Sequence, residues 1–460
     1  MNPKRLIITF ACVFAIALAI GIALRIDNNP HNSSLPADNT LAPEVTEPDI
    51  SDNLVTTTEP EVTTSETTTT EATTTEAATT QPEITTTEEP LPEEVEPVYP
   101  EDATVRICIG GDTSIDSEFA EVAYRKGVDY PWAEVSEVLN AADLSIVNLE
   151  TCVSTRGVSE KKEGFGFRTP PDMLEGFVNA GIDLVNLANN HTRDFGYDAL
   201  LDTFMHLSEY GIDYFGAGND YNEAAGLVVK EVNGVKIGFT GCNRVWLPED
   251  YAAAEGHAGI NQVHSVSDER TKAYLEKVKE YDSQCDVLIV FLHYGTEEVF
   301  EITSYQERMS KALIDAGADM VMGGHSHTLQ PIEFYNGKPI FYSIGNFIFW
   351  HVDDDIDGLT VIFDITVNRD GFVSLKVHPL FIKSYKVYYL SKDSERYTQI
   401  INLMNTLCNP YGYAFDIDGN MTQYVPPVTE ELPEGTDSEA QIMPSDDETV
   451  VTDENLDEVE

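Results

Sequence analysis

The stretch Asp319-Met320-Val321-Met322-Gly323-Gly324-His325-Ser326-His327 ends in two histidines at i and i+2. Apolar residues lead into two glycines, the pattern of a buried strand that breaks into a tight turn and presents two imidazoles. Imidazole is a common ligand for divalent transition metals, and glycine lets the backbone approach closely. His325 and His327 can therefore each serve a different ion of a pair. On its own the spacing is weak, because paired histidines also occur in ordinary loops.

Other ligand-type side chains stand in the same local setting. An Asp, an apolar strand and then a possible ligand follow a small or polar break at Asp143 to Glu150, Asp183 to His191, Asp286 to His293 and Asp319 to His327. In open α/β sheets ligands collect beyond the carboxyl ends of strands, so these ends can share one crevice. With Asp112 after Gly110-Gly111, the candidates are Asp112, Glu150, Asn190, His293, His325 and His327. Two carboxylates, an amide oxygen and three imidazoles suit Mn, Fe or Zn better than Mg or Ca, whose sites are built from oxygen. A carboxylate can bridge two ions, and ions ~3.5 to 4 Å apart can activate a water and clamp a transferring phosphoryl group. Each residue also has an ordinary alternative. Asp112 could cap a helix, Glu150 could be solvated, Asn190 could cap a turn, and His293 could be a satisfied core histidine.

The elements that must position them follow from pattern. Val105 to Ile109, Asp143 to Glu150 and Ile182 to His191 read as strands, with helices over Trp132 to Ala142 and Asp172 to Asn179, the latter stopping at Gly181. Leu227 to Val232 and Val235 to Gly241 flank Asn233-Gly234, a strong hairpin signal. Helices are expected over Ser267 to Tyr281 and Tyr305 to Ala316. Asp286 to His293 is a continuous apolar strand, as when both faces are covered. Ile340 to Phe349 and a hairpin from Leu359 to Leu380, turning at Arg369-Asp370-Gly371, supply further strands.

Composition sets the outer limits. Leu6 to Leu24 is an uncharged apolar run between Lys4-Arg5 and Arg25, long enough to span a bilayer, and is expected to be an uncleaved anchor over 1–25 with the remainder extracytoplasmic. A cleaved signal peptide is the competing reading. Residues 26–103 are rich in Thr, Glu and Pro and predict a disordered stalk; the domain follows over 104–425, and 426–460 predicts an acidic, disordered tail. A formal net charge of −53 argues against a nucleic-acid-binding surface, and with it a nuclease role. Cys12 lies in the apolar run. The other five cysteines are odd in number and widely spaced, so neither a disulfide framework nor a zinc knuckle is indicated.

Gly111-Asp112, Asn148-Leu149-Glu150, Phe167-Arg168-Thr169-Pro170, Leu187-Ala188-Asn189-Asn190-His191 with Asp194 and Gly196, His293-Tyr294-Gly295 with Glu297, Gly324-His325-Ser326-His327 and Ser343-Ile344-Gly345-Asn346-Phe347 occur in that order. Over about Val105 to Ile382 this set resembles the CapA family, bacterial capsule and poly-γ-glutamate synthesis proteins related to calcineurin-like metallophosphoesterases. The resemblance implies a four-layer α/β/β/α metallophosphoesterase-like sandwich around two divalent metal ions. It aligns Asp112, Glu150 and His327 with the ligands of one ion, and Glu150, Asn190, His293 and His325 with those of the other, Glu150 bridging. His191 resembles the histidine that protonates the leaving group, with Asp194 orienting its ring; a structural histidine holding the turn is the alternative.

Two departures stand out. Where the wider superfamily has Asp-x-His, this chain has Asp112-Thr113-Ser114, and at the bridge, often Asp, it has the longer Glu150. Arg168, in an Arg-Thr-Pro turn between ligand strands, could fork onto an anionic substrate or form a surface salt bridge. The role the resemblance implies is that of a membrane-anchored protein acting on an anionic cell-surface polymer, in the synthesis, export or attachment of poly-γ-glutamate or another capsule component, beside membrane synthase subunits. It would be either a metal-dependent hydrolase or, because of the missing imidazole, a polymer-binding assembly subunit.

Overall fold

Strand β1 (Val105–Thr113) is buried along nearly its whole length. A strand alternates its side chains, so burial of both sets requires a layer on each face. Cys108 packs with the helices on one side, whereas Ile107 and Ile109 pack against a second sheet on the other. Asp112 lies within this strand, which runs four residues beyond the expected end, so it caps no helix.

The computed structural model describes residues 99–161, 166–349 and 358–426. The expected anchor, almost all of the expected stalk and the tail beyond Pro426 lie outside these residues. Among the described residues no helix is long and apolar enough to cross a membrane.

Three strands join β1 in parallel on one side: β2 (Leu144–Leu149), β3 (Leu184–Asn186) and β4 (Asp213–Phe215). They are linked through helices α1 (Ser117–Lys126), α2 (Ser136–Asn140), α3 (Leu174–Ala180) and α4 (Tyr197–Tyr210). Helix α2 is shorter than expected because Tyr130–Trp132, with Pro131 inside it, winds as a separate 3-10 turn. Gly181 ends α3 in the left-handed conformation, as its position predicts. Strand β3 also stops early, since Asn186 and Asn189 turn their side chains onto the backbone at Ala188 and His191.

The chain then builds a second sheet from β5 (Val228–Val232), β6 (Val235–Asn243), β7 (Val287–His293), β8 (Met320–Gly324), β9 (Ile332–Tyr335) and β10 (Lys338–Phe341), in the order β9-β10-β8-β7-β6-β5. Helices α5 (Glu269–Asp282) and α6 (Ser304–Ala316) precede β7 and β8. Asn233 and Gly234 turn the β5–β6 hairpin with φ of 53° and 75°, the left-handed pair that such two-residue turns require. Finally β11 (Asn346–Ile348) returns to pair with β1, and β12 (Leu359–Asn368), β13 (Gly371–Lys383) and β14 (Lys386–Tyr389) extend the first sheet antiparallel on the far side of β1.

Three apolar clusters give the layer order α/β/β/α. Ile107, Phe239, Ile289, Phe291, Met322 and Phe363 fill the space between the sheets. Val147 and Val185 face Phe119, Phe177 and Leu200 on one outside, and Leu288 and Val290 face Tyr274, Val278 and Leu313 on the other. Helix α7 (Glu395–Cys408) adds Tyr397, Ile400 and Met404 to the inter-sheet core. Cys108, Cys242 and Cys408 are buried free thiols, as small apolar side chains would be.

Candidate metal centre

Register aligns the ends of the parallel strands. Asp112 stands opposite Asn148 in the first sheet, and His293 stands opposite Gly324 in the second. A Cβ on Gly324 would lie 2.9 Å from Asp112 Oδ1 and 3.1 Å from His293 Nδ1, so only glycine lets β8 end this close to both side chains. Beyond it His325 and His327 adopt φ of 87° and 55°, the left-handed region that non-glycine residues seldom enter. The turn is held from below: His325 N donates to Asp112 Oδ2 at 3.1 Å, and His327 Nδ1 lies 2.8 Å from Asn346 Oδ1.

The six candidate ligands gather here. Asp112, Glu150 and His327 each offer a ligand atom within 4.8 Å of one another, and so do Glu150, His293 and His325. Glu150 Oε1 is 3.3 Å from His293 Nε2, and Asn190 Oδ1 is 2.8 Å from the same nitrogen. Glu150 thus belongs to both groups, and Asn190 adjoins the second. A third group, Glu297, His325 and His327, adds an exposed carboxylate.

Burial sets the electrostatics. Desolvation, then the neighbouring Asp112 charge, raises Glu150 well above the usual carboxylate range. Burial lowers His293 to about 4 and pulls His325 well below the ordinary histidine value. At His327 burial acts downward, but Glu150 and Asp112 outweigh it and the net shift is upward. Both oxygens of Glu150 and Nδ1 of His325 are buried without a hydrogen-bond partner. An unpaired buried polar atom costs about 1–3 kcal/mol, and here three face a cluster of nitrogen and oxygen donors. Divalent cations fit this donor set: they would satisfy the orphaned atoms and remove the repulsion between the two acids.

Beside the cluster, His191 Nδ1 lies 2.6 Å from Asp194 Oδ2, while its Nε2 is 3.9 Å from Glu150 Oε1. Burial lowers the His191 pKa against the pull of Asp194. Asp194 is fully buried, accepts from Phe167 N at 2.9 Å and pairs with Lys161 at 3.3 Å. Arg168 is engaged elsewhere: its guanidinium stacks over Phe195 at 4.2 Å and donates to the carbonyls of Arg156 and Gly157.

Asn148 is a positioning residue that sequence reading passed over. Its Nδ2 donates to Asp112 Oδ1 at 2.7 Å and lies 3.3 Å from His293 Nδ1, and its Oδ1 accepts from Asn186 and Asn189. The available signal is an amide inside an otherwise apolar strand, two residues before Glu150 and so on the same face.

A family model described as bacterial capsule synthesis protein PGA_cap matches residues 106–351, which include all nine expected site residues. The chain belongs to that family. Among relatives of this PGA_cap member, the capsule biosynthesis protein CapA of Bacillus anthracis is 29% identical over 262 residues, covering 56% of this chain and 63% of its own. The PGA biosynthesis protein CapA of Bacillus subtilis (strain 168) is 26% identical over 318 residues, 68% of this chain and 80% of its own. The chain thus spans less than two thirds of the first relative and about four fifths of the second. A solved structure, a novel phosphatase from Mycoplasma pneumoniae, overlaps 61% of this PGA_cap chain and 94% of its own at a TM-score of 0.37 and 14% identity.

Proposed function

We propose that this protein is a membrane-anchored, extracytoplasmic metal-dependent hydrolase acting in the synthesis, export or attachment of an anionic capsule polymer such as poly-γ-glutamate, a setting that its relatives' names, capsule and PGA biosynthesis, support. The observation that carries the reading is Glu150, buried with both oxygens unpartnered between one group made with Asp112 and His327 and another made with His293 and His325. Those five residues and Asn190 would hold two divalent ions. When bound, such ions polarise a scissile bond and activate a water for attack. His191, its Nδ1 held by Asp194, exchanges a proton with the leaving atom at Nε2. Asp194 fixes the ring, and Lys161 balances the buried Asp194 charge. Arg168 braces the neighbouring loop through Nη1 and Phe195, and the rest of its guanidinium would be offered to an anionic substrate.

One observation favours a second reading. Ser114, where the wider superfamily has an imidazole, is buried with its Oγ unpartnered. A site weakened there would bind polymer without turning it over and serve as an assembly subunit beside a membrane synthase.

Purified full-length protein, loaded with Mn or Zn and assayed on an aryl phosphate and on poly-γ-glutamate, separates the two. Turnover abolished in His191→Ala supports the hydrolase, and polymer binding without turnover in either protein supports the assembly role. If the protein takes up no transition metal, and Mn and Zn change neither its stability nor its activity, the hydrolase reading falls; if it also binds no polymer, the assembly reading falls with it.

A further inference from the structure

Four basic residues adjoin the segments that carry the candidate ligands, and three of them have partners or packing already described. Lys161 pairs with Asp194, Arg168 lies on Phe195 and two backbone carbonyls, and Arg193 pairs with Asp250. Arg244 differs. Its backbone N donates to the carbonyl of His293 at 2.9 Å, which fixes its Cα beside the end of β7. Its guanidinium sits over the Tyr305 ring at 4.3 Å and hydrogen-bonds with that residue, while its Nε is buried without a hydrogen-bond partner. Among the described residues no carboxylate forms an ion pair with it. With 80 Asp and Glu against 27 Lys and Arg, about three acids per base, an arginine without an acidic partner is unexpected unless its partner comes from outside.

The loop that follows is built to stay in place. Val245 O accepts from Asn243 Nδ2 at 2.9 Å and from Gln262 Nε2 at 3.0 Å, and Leu247 is buried. Between these anchors Trp246 is 77% exposed, a large apolar side chain left in solvent two residues from Arg244. An arginine and an aromatic held together on a fixed loop are the usual anchors of a binding surface. Stacked on that ring, the guanidinium still has its outer edge to offer to a pair of oxygens.

We propose that Arg244, on its Tyr305 platform, is an anion subsite of the metal centre that holds a carboxylate or phosphate group, with Trp246 covering the adjoining part of the ligand. The inference rests on the reading of an anionic substrate and names the residue that would recognise it. Atoms one repeat away from the reacting bond would be held there, so the subsite acts on binding and register.

The test uses full-length protein and two probes, a γ-linked glutamate oligomer and inorganic phosphate, with affinity from calorimetry and metal content from elemental analysis. Arg244→Gln is expected to weaken one or both probes at least tenfold with metal content and thermal midpoint unchanged. Arg244→Lys should recover part of the loss, since it restores charge without the fork. Loss confined to the oligomer assigns the carboxylate, whereas equal loss for phosphate assigns the phosphoryl group. Trp246→Ala should weaken the oligomer alone. Unchanged affinity in Arg244→Gln, loss of metal in that variant, or wild-type protein that binds neither probe overturns the proposal. Arg244-dependent binding by protein that takes up no metal would leave the subsite standing and remove the metal reading.

Discussion

Glu150 Oε1 lies 3.3 Å from His293 Nε2, although the two residues end strands of different sheets. The centre therefore exists only where the sheets face each other, and Glu150 is the side chain common to two of its ligand groups. Its two unpartnered oxygens make the ion-free site costly.

Metal uptake should consequently appear as stability. At a free ion concentration 100 times Kd, binding stabilises the fold by about 2.7 kcal/mol, visible as a higher thermal midpoint that a chelator reverses. Glu150→Gln should abolish the shift while leaving the chelated protein close to chelated wild type in stability, because burial already favours the uncharged carboxyl in the ion-free site. A Glu150→Gln protein that still shows the full shift would remove Glu150 from the site.

Asn148 tests positioning apart from coordination. Asn148→Leu leaves Asp112 Oδ1 and Asn186 Nδ2 without their amide partner, and one buried group so exposed costs about 1–3 kcal/mol. Outer partners of metal ligands typically carry about 10- to 100-fold in affinity. Urea unfolding and metal titration should both register the change, and unchanged metal affinity would limit Asn148 to packing.

Gly324→Ala places a methyl group 2.9 Å from Asp112 Oδ1, a carboxylate already held by Asn148 and by His325 N. The expected result is weakened metal binding with the circular dichroism of the fold retained. Wild-type affinity in this variant would mean that the strand end can move aside.

Far from the centre, Asp364 governs acid stability. Burial pushes its pKa upward, but hydrogen bonds from His378 and Arg106 outweigh that and hold it at about 2. Arg106 reaches both oxygens at 2.8 Å. A carboxylate held below its ordinary value adds stability that is complete above the unfolded pKa of about 4 and is lost as pH falls toward 2. Holding the carboxyl that far down corresponds to about 2 kcal/mol. Urea unfolding from pH 6 to pH 2 should show a shallower acid limb for Asp364→Asn than for wild type.

Much of the centre is legible in order of residues because one local rule recurs: an apolar strand whose last turn carries a ligand-type side chain. It marks Glu150, Asn190, His293, His325 and His327, and parallel pairing brings their strand ends level. Partner choice is harder to read. The Arg168 guanidinium is evident from residue type, but its stacking on an adjacent aromatic ring and the two carbonyls that its Nη1 reaches are announced by no spacing. Tyr397, Ile400, Ile401 and Met404 carry a helical period, yet nothing local tells α7 to enter the inter-sheet core and not an outer layer. Asn148 is visible as a polar residue in a buried strand, but its task depends on lying opposite Asp112, a register set by a different part of the chain.

The pairing of Asp112 with Asn346 has a consequence for biogenesis. Asn346 steadies His327, so a nascent chain that has not yet released β11 carries an incomplete cage. Cation capture would then come late, after the return crossing, and the ion acquired would be drawn from whatever pool surrounds the chain when folding ends. For a donor set suited to several first-row metals, timing and place would become part of selectivity.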